Sequence, residues 1–129
     1  MAEKQSNLIK NGGGYGIVPD VNKPITVTQT FTVNQINYFT VPETGFYSFW
    51  TNNMSSPGSV SLMINIVDAN NATLLEVYDT RLYGANITAY AGVSYMGFFE
   101  KDTRLSVYPG TQSASGFKCT AYKAKSVKI

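Results

Sequence analysis

The chain of 129 residues contains no histidine. That removes histidine-based triads, most zinc sites and most general acid–base schemes at neutral pH. It has one cysteine, Cys119, so no disulfide can form within the chain. In its setting, "GFKCTAYKAK", Cys119 reads as a small buried strand residue rather than a nucleophile. Charge is scarce as well. Charged residues make up 14% of the chain, below the usual quarter, and ten Lys plus Arg against eight Asp plus Glu leave a net +2. This is too little to imply nucleic acid or an anionic membrane surface as a partner. No apolar run approaches the ~18 residues of a membrane span, and "MAEKQSNLIK" is not followed by the apolar region of a secretory signal. The expectation is a protein made in the cytosol that reaches any outside location by another route. No segment carries apolar residues at helical spacing for more than about one turn, so no helix is expected.

Tyr, Phe, Thr, Asn and Ser take the place of the missing charge, the make-up of an all-β protein with a polar, uncharged surface. The length suits one domain. Residues 1–24 read as a separate flexible tether, because "NGGGYGIVPDVNKP" is rich in glycine and proline. GGGYG is not a phosphate loop, since it lacks the flanking strand, the helix and the Lys-Ser/Thr of that motif. The domain is then expected over 25–129. "ITVTQTFTV" alternates with period two and predicts a half-buried strand. "NYFTV" predicts a short strand ended by Pro42, and "PETG" a turn. "GFYSFWTN", "SVSLMINIV", "LLEVYD", "VSYMGFFE", "TRLSVYP" and "GFKCTAYKAK" follow as strands. Eight or nine short strands at this spacing predict a two-sheet antiparallel sandwich or jelly roll.

The strands differ in how many faces are apolar. "SVSLMINIV" and "TRLSVY" are one-sided, with Leu62, Ile64, Leu105 and Val107 as their core residues. "GFYSFW" is two-sided: Tyr47 and Phe49 point one way, Phe46 and Trp50 the other. In "VSYMGFFE" Met96 and Phe98 oppose Val93, Tyr95 and Phe99. The prediction is one sheet facing solvent and one covered twice. The core would hold Tyr47, Phe49, Leu62, Ile64, Leu105, Val107, Phe117 and Cys119. A second buried face would hold Phe46, Trp50, Met96 and Phe98. With no helix to cover it, that face needs another copy of the chain or a partner, since several exposed aromatics, each burying ~150–250 Å², are an aggregation liability.

"FTVPETGFYSF", with Phe39, Pro42, Gly45, Tyr47 and Phe49, resembles a strand signature of the C1q/tumour-necrosis-factor-like domain. "VSYMGFFEKDTRLSVY" resembles two later strands of that family and the acidic turn between them, although Lys101-Asp102-Thr103 lacks the glycine common there. Ser115, Gly116 and Phe117 match its last strand. The resemblance implies a jelly roll that trimerises through the sheet containing the strands at 45–52, 93–99 and 116–122. Phe46, Trp50, Met96 and Phe98 are then candidates for the trimer interface. The chain has no collagen repeat. With a polar tether and no export signal, it looks like a bacteriophage virion part: a fibre, head-fibre or decoration protein.

Catalysis is not expected. Most acidic residues fall in turns or the tether, and Glu76 and Asp79, the nearest pair within a strand, should point to opposite faces. No cofactor or metal is implied; Asp68, Asn70 and Asn71 read as a turn before they read as a Ca²⁺ site. Lys118, Lys123, Lys125 and Lys128 read as protection of an edge strand, not as a nucleic-acid site. Without an export signal, the three Asn-x-Ser/Thr sequons read as coincidence. The expected function is a non-enzymatic homotrimeric structural and attachment module, joined to a larger particle through residues 1–24. The alternative is a receptor- or glycan-binding module using its loops, with Tyr83 and Tyr90 as candidate glycan contacts.

Overall fold

The computed structural model describes residues 14–52, 61–80, 92–110 and 115–129. Eight strands are found among them: β1 (Tyr15–Ile25), β2 (Asn37–Thr40), β3 (Gly45–Asn52), β4 (Met63–Val67), β5 (Thr73–Asp79), β6 (Gly92–Phe99), β7 (Arg104–Tyr108) and β8 (Ser115–Lys128). They form two antiparallel four-stranded sheets in the orders β1-β8-β3-β6 and β2-β7-β4-β5. First pairs with last, second with seventh, third with sixth, fourth with fifth. This is what results when one long antiparallel hairpin is rolled into a two-layer sandwich, the jelly-roll arrangement.

The core lies between the sheets. Tyr47 and Phe49 of β3, Phe39 of β2, Leu62 and Ile64 at β4, and Leu105 and Val107 of β7 are all buried, with Val41, Ile25, Phe99 and Ala121 beside them. Phe117 and Cys119 of β8 are half-buried and pack against this cluster from the inner face. Phe31 joins the layers: its ring lies 5.6 Å from Phe39 in one sheet, and 5.8 and 5.3 Å from Phe49 and Phe117 in the other. At the opposite flank Tyr78 of β5 stacks on Tyr95 of β6 at 5.0 Å.

Two sequence expectations need correction. Residues 15–24 are not tether: they belong to β1, which pairs with the end of β8. The two prolines are tolerated because β1 is an edge strand, where a missing N–H costs no ladder bond on the open side. They still leave a mark, since the register breaks between Pro19 and Pro24 and Asp20 there closes a turn onto the Asn22 N–H. Residues 1–13 of the expected tether lie outside the described residues. Conversely, "ITVTQTFTV" keeps its period-two burial, with Val27, Gln29, Phe31 and Val33 half-buried, but beyond Ile25 it joins no sheet. Its contacts bridge the sandwich rather than extend a ladder.

Asn37 anchors this bridge. Its side-chain amide donates to the carbonyls of Thr32, Gln35 and Val107, and its oxygen accepts from the Thr32 N–H at 2.8 Å. The turn at 101–102 that lacks a glycine is closed by Asp102 at φ 70°, a left-handed conformation Asp adopts more readily than most residues. The turn at 68–72 is capped by Asp68, whose carboxylate accepts from the Asn70 and Ala72 N–H groups. The guanidinium of Arg104 donates to the Asp68 carbonyl and the Asn71 side chain.

Candidate assembly face

The two-sided strands sit side by side. β3 is flanked by β6 on one side and β8 on the other, so the strands at 45–52, 93–99 and 116–122 share one sheet. Alternation then decides what each residue faces. Tyr47 and Phe49 enter the core, while Phe46, Ser48 and Trp50 face away from it. On β6, Phe99 is buried and Val93 and Tyr95 half-buried towards the core; Ser94, Met96 and Phe98 are exposed on the far side.

The register lines these outward residues up in rows. Phe98 stands opposite Phe46, Phe46 opposite Tyr122, and Tyr122 opposite Pro24, so one apolar row crosses all four strands. The Phe46 and Phe98 rings meet edge to face at 5.4 Å. The next row is Met96, Ser48 and Thr120; the third is Ser94, Trp50 and Lys118. Lys118 Nζ lies 5.4 Å over the Trp50 ring, a cation–π contact that covers the indole. Met96 is 58% exposed and Phe98 44%, high values for side chains of this size on a flat sheet.

The four interface candidates, Phe46, Trp50, Met96 and Phe98, therefore lie on one face. Tyr122 belongs with them and was not identified from sequence. In "TAYKAK" its neighbours are lysines and alanines, and only the pairing with Phe46 and Pro24 shows where it points. Tyr83 and Tyr90 lie outside the described residues.

The polar chemistry near this sheet is structural. Tyr47 is buried, but its hydroxyl donates to the Glu43 carbonyl and accepts from the Glu43 N–H, bracing the turn before β3. Burial raises its pKa, the hydrogen bond to Glu43 partly opposing this. Burial alone raises that of Tyr95. Burial pushes the Cys119 thiol up to about 12, which keeps it neutral and unreactive. Lys123 pairs with Glu43 at 3.4 Å, both half-exposed. Glu76 and Asp79 differ from the expectation of opposite faces. Irregular pairing between Ile64 and Asn65 sets Glu76 against Asn65 and Asp79 against Met63, residues on one face of β4; Asp79 is buried and Glu76 exposed. No cluster of three or more metal-ligating side chains occurs among the described residues.

No family model matches the chain, and no curated protein matches it. Among solved structures it is similar to a cycloisomaltooligosaccharide glucanotransferase from Paenibacillus sp. in complex with cycloisomaltoheptaose, at 17% identity and a TM-score of 0.27. The likeness covers 69% of this chain and 12% of that one, so this chain spans only a small part of that enzyme's length.

Proposed function

We propose that this protein is a non-enzymatic structural and attachment module that works as a homotrimer of C1q/tumour-necrosis-factor-like type. The outward face of the β1-β8-β3-β6 sheet turns to the threefold axis. The larger assembly is a bacteriophage virion, of which the protein is a fibre, head-fibre or decoration component held through the residues ahead of β1.

The observation that supports this reading is the apolar row Phe98, Phe46, Tyr122 and Pro24 with Met96 beside it, on a sheet face that no third layer covers among the described residues. Burying the part of such side chains that is still exposed contributes up to ~2 kcal/mol each as an upper bound, a driving force for association. Loop-borne glycan recognition ranks second. The single Trp of the chain, Trp50, has Lys118 over its ring, not an open surface for a sugar.

Light scattering tests the trimer: the mass should be about three times the 14.1 kDa of the chain. Phe46→Asp should reduce it to the monomer mass, because three carboxylates would meet unpaired near a dry axis. A wild-type protein that stays monomeric at micromolar concentration rules the reading out. A glycan array with clear hits that survive Phe46→Asp would favour the second.

A further inference from the structure

The last part of β8 outruns its neighbour. β3 begins at Gly45, and Phe46 is already opposite Tyr122, so residues 124–128 have no partner in β3. Among the described residues they pair only with β1: Pro19 with Ala124, Val18 with Lys125, Ile17 with Ser126, Gly16 with Val127 and Tyr15 with Lys128. The Ile129 N–H closes the end on the Gly14 carbonyl at 2.7 Å. The result is a two-stranded ribbon projecting past the turn that precedes β3. Such a ribbon alone in water is marginal. This one is apolar on both sides. Tyr15 and Ile17, each about 60% exposed, continue the side of Tyr122 and Pro24; Val127 and Ile129 lie on the other, with Ile129 across the bare backbone of Gly16. It is also basic, with Lys125 and Lys128 exposed along it and Lys23 in the irregular segment of β1.

The opposite flank offers the complement. β5 is the edge of its sheet, and unlike β1 it contains no proline and no lysine. Its pairing with β4 is irregular at two places, and Leu74 and Leu75 are both left exposed, next to exposed Glu76. The Tyr78–Tyr95 stack puts β5 on the β6 flank, whereas Phe31 with Phe39 and Phe117 marks the flank of β2 and β8. The basic apolar ribbon and the acidic apolar edge are thus on opposite sides of one sandwich. A patch that matches a different patch on a second copy makes a head-to-tail contact, and such contacts close into rings when the rotation permits.

We propose that the ribbon formed by residues 15–19 and 124–128 of one copy seats on the β5 edge of the next, Ile17 and Tyr15 against Leu74 and Leu75, and Lys128, which stands opposite Tyr15 on the same side of the ribbon, towards Glu76. The proposal rests on the homo-oligomer reading above and adds which flanks meet. The ribbon gains a layer that it lacks among the described residues, and the edge of β5, open among the described residues, is covered.

The test is crosslinking. Ile17→Cys and Leu75→Cys are combined in one chain and treated with a short bismaleimide. Cys119 does not compete, because its thiol is mostly buried and held neutral. The double variant should give covalent dimers and higher species, and each single variant should not. Double variants that stay uncrosslinked while light scattering shows an oligomer overturn this contact and leave the trimer reading standing. Crosslinked rings whose mass is not three chains support the contact and refute the trimer. A protein monomeric at all concentrations overturns both. As an independent measurement, Lys128→Glu or Glu76→Lys alone should weaken association roughly two- to fivefold per contact at low salt, and the two together should restore it. Single reversals without effect on association count against the contact.

Discussion

Phe98 and Phe99 are neighbours in β6 with opposite surroundings: the Phe98 ring lies edge to face on Phe46 outside the sandwich, and the Phe99 ring lies 6.3 Å from Tyr47 inside it. Because successive side chains in a strand point to opposite faces, adjacent positions report on two different interfaces. Phe99→Ala should destabilise the subunit itself by about 3–5 kcal/mol in denaturant unfolding, the usual cost of truncating a buried aromatic. Phe98→Asp should leave the circular dichroism of a folded sandwich and abolish association in light scattering. An associated Phe98→Asp protein would place this face in water.

Asn37 is a second position where a small change should have a large effect. Three carbonyl oxygens receive its amide hydrogens. Asn37→Asp keeps the shape and replaces those donors with a carboxylate. We expect a loss of about 2 kcal/mol or more at neutral pH, since buried acceptors are left facing one another and a negative charge. The new carboxyl gains a donor on protonation, so its pKa is raised and the loss should shrink as pH falls through its titration. Urea midpoints of wild type and variant across pH 4–8 would show the gap narrowing on the acid side.

Gly45 opens β3 where two other strands press on it. A Cβ there would lie 2.4 Å from the Tyr122 carbonyl oxygen and 2.7 Å from Ile25 Cδ1. Backbone cannot give way as a flexible side chain can, so Gly45→Ala should cost about 1–3 kcal/mol. Part of that cost should appear as loosening of β8. Faster amide exchange at Tyr122 than at Leu105 in the variant would locate it.

Cys119 gives a pH signature. Its ordinary value of 9.0 is raised to about 12 by burial in the folded chain. The unfolded chain therefore loses its thiol proton first. The stabilisation is complete below pH 9 and declines as pH rises from there towards 12. Cys119→Ala removes this source of alkaline sensitivity, so its melting temperature should fall less steeply above pH 9 than that of wild type. At pH 8 a thiol reagent should label wild type only as fast as the chain opens. Labelling at the rate of a free thiol would contradict the burial.

β3 and β6 could be read because both of their faces carry large apolar groups, a signal that survives without knowing their partners. Their placement in one sheet follows from the same fact, since the uncovered face must be continuous. β1 could not be read. Glycine and two prolines in "YGIVPDVNKPI" argue against a strand, and the pairing with the far end of the chain that overrides them is not written locally. The segment after Ile25 shows the reverse failure. Thr alternates with Val, Gln and Phe as in a strand, yet Phe31 is held by rings from both sheets and the backbone runs free of either ladder. Side-chain burial and backbone pairing usually go together, and there they part. Tyr122 joined the outward row only through register, which depends on where strands start relative to each other.

The closure of the ribbon by Ile129 on Gly14 has a mechanical consequence. The first and last described residues lie side by side at the same end of two antiparallel strands. Tension applied between them pulls across the ladder, one rung at a time, rather than along it against all rungs together. The β1–β8 pair should therefore peel like a zipper at low force. A load that enters and leaves through the same end of both strands would bear on each rung in turn, and the core behind Gly45 would feel it only after the ribbon had opened.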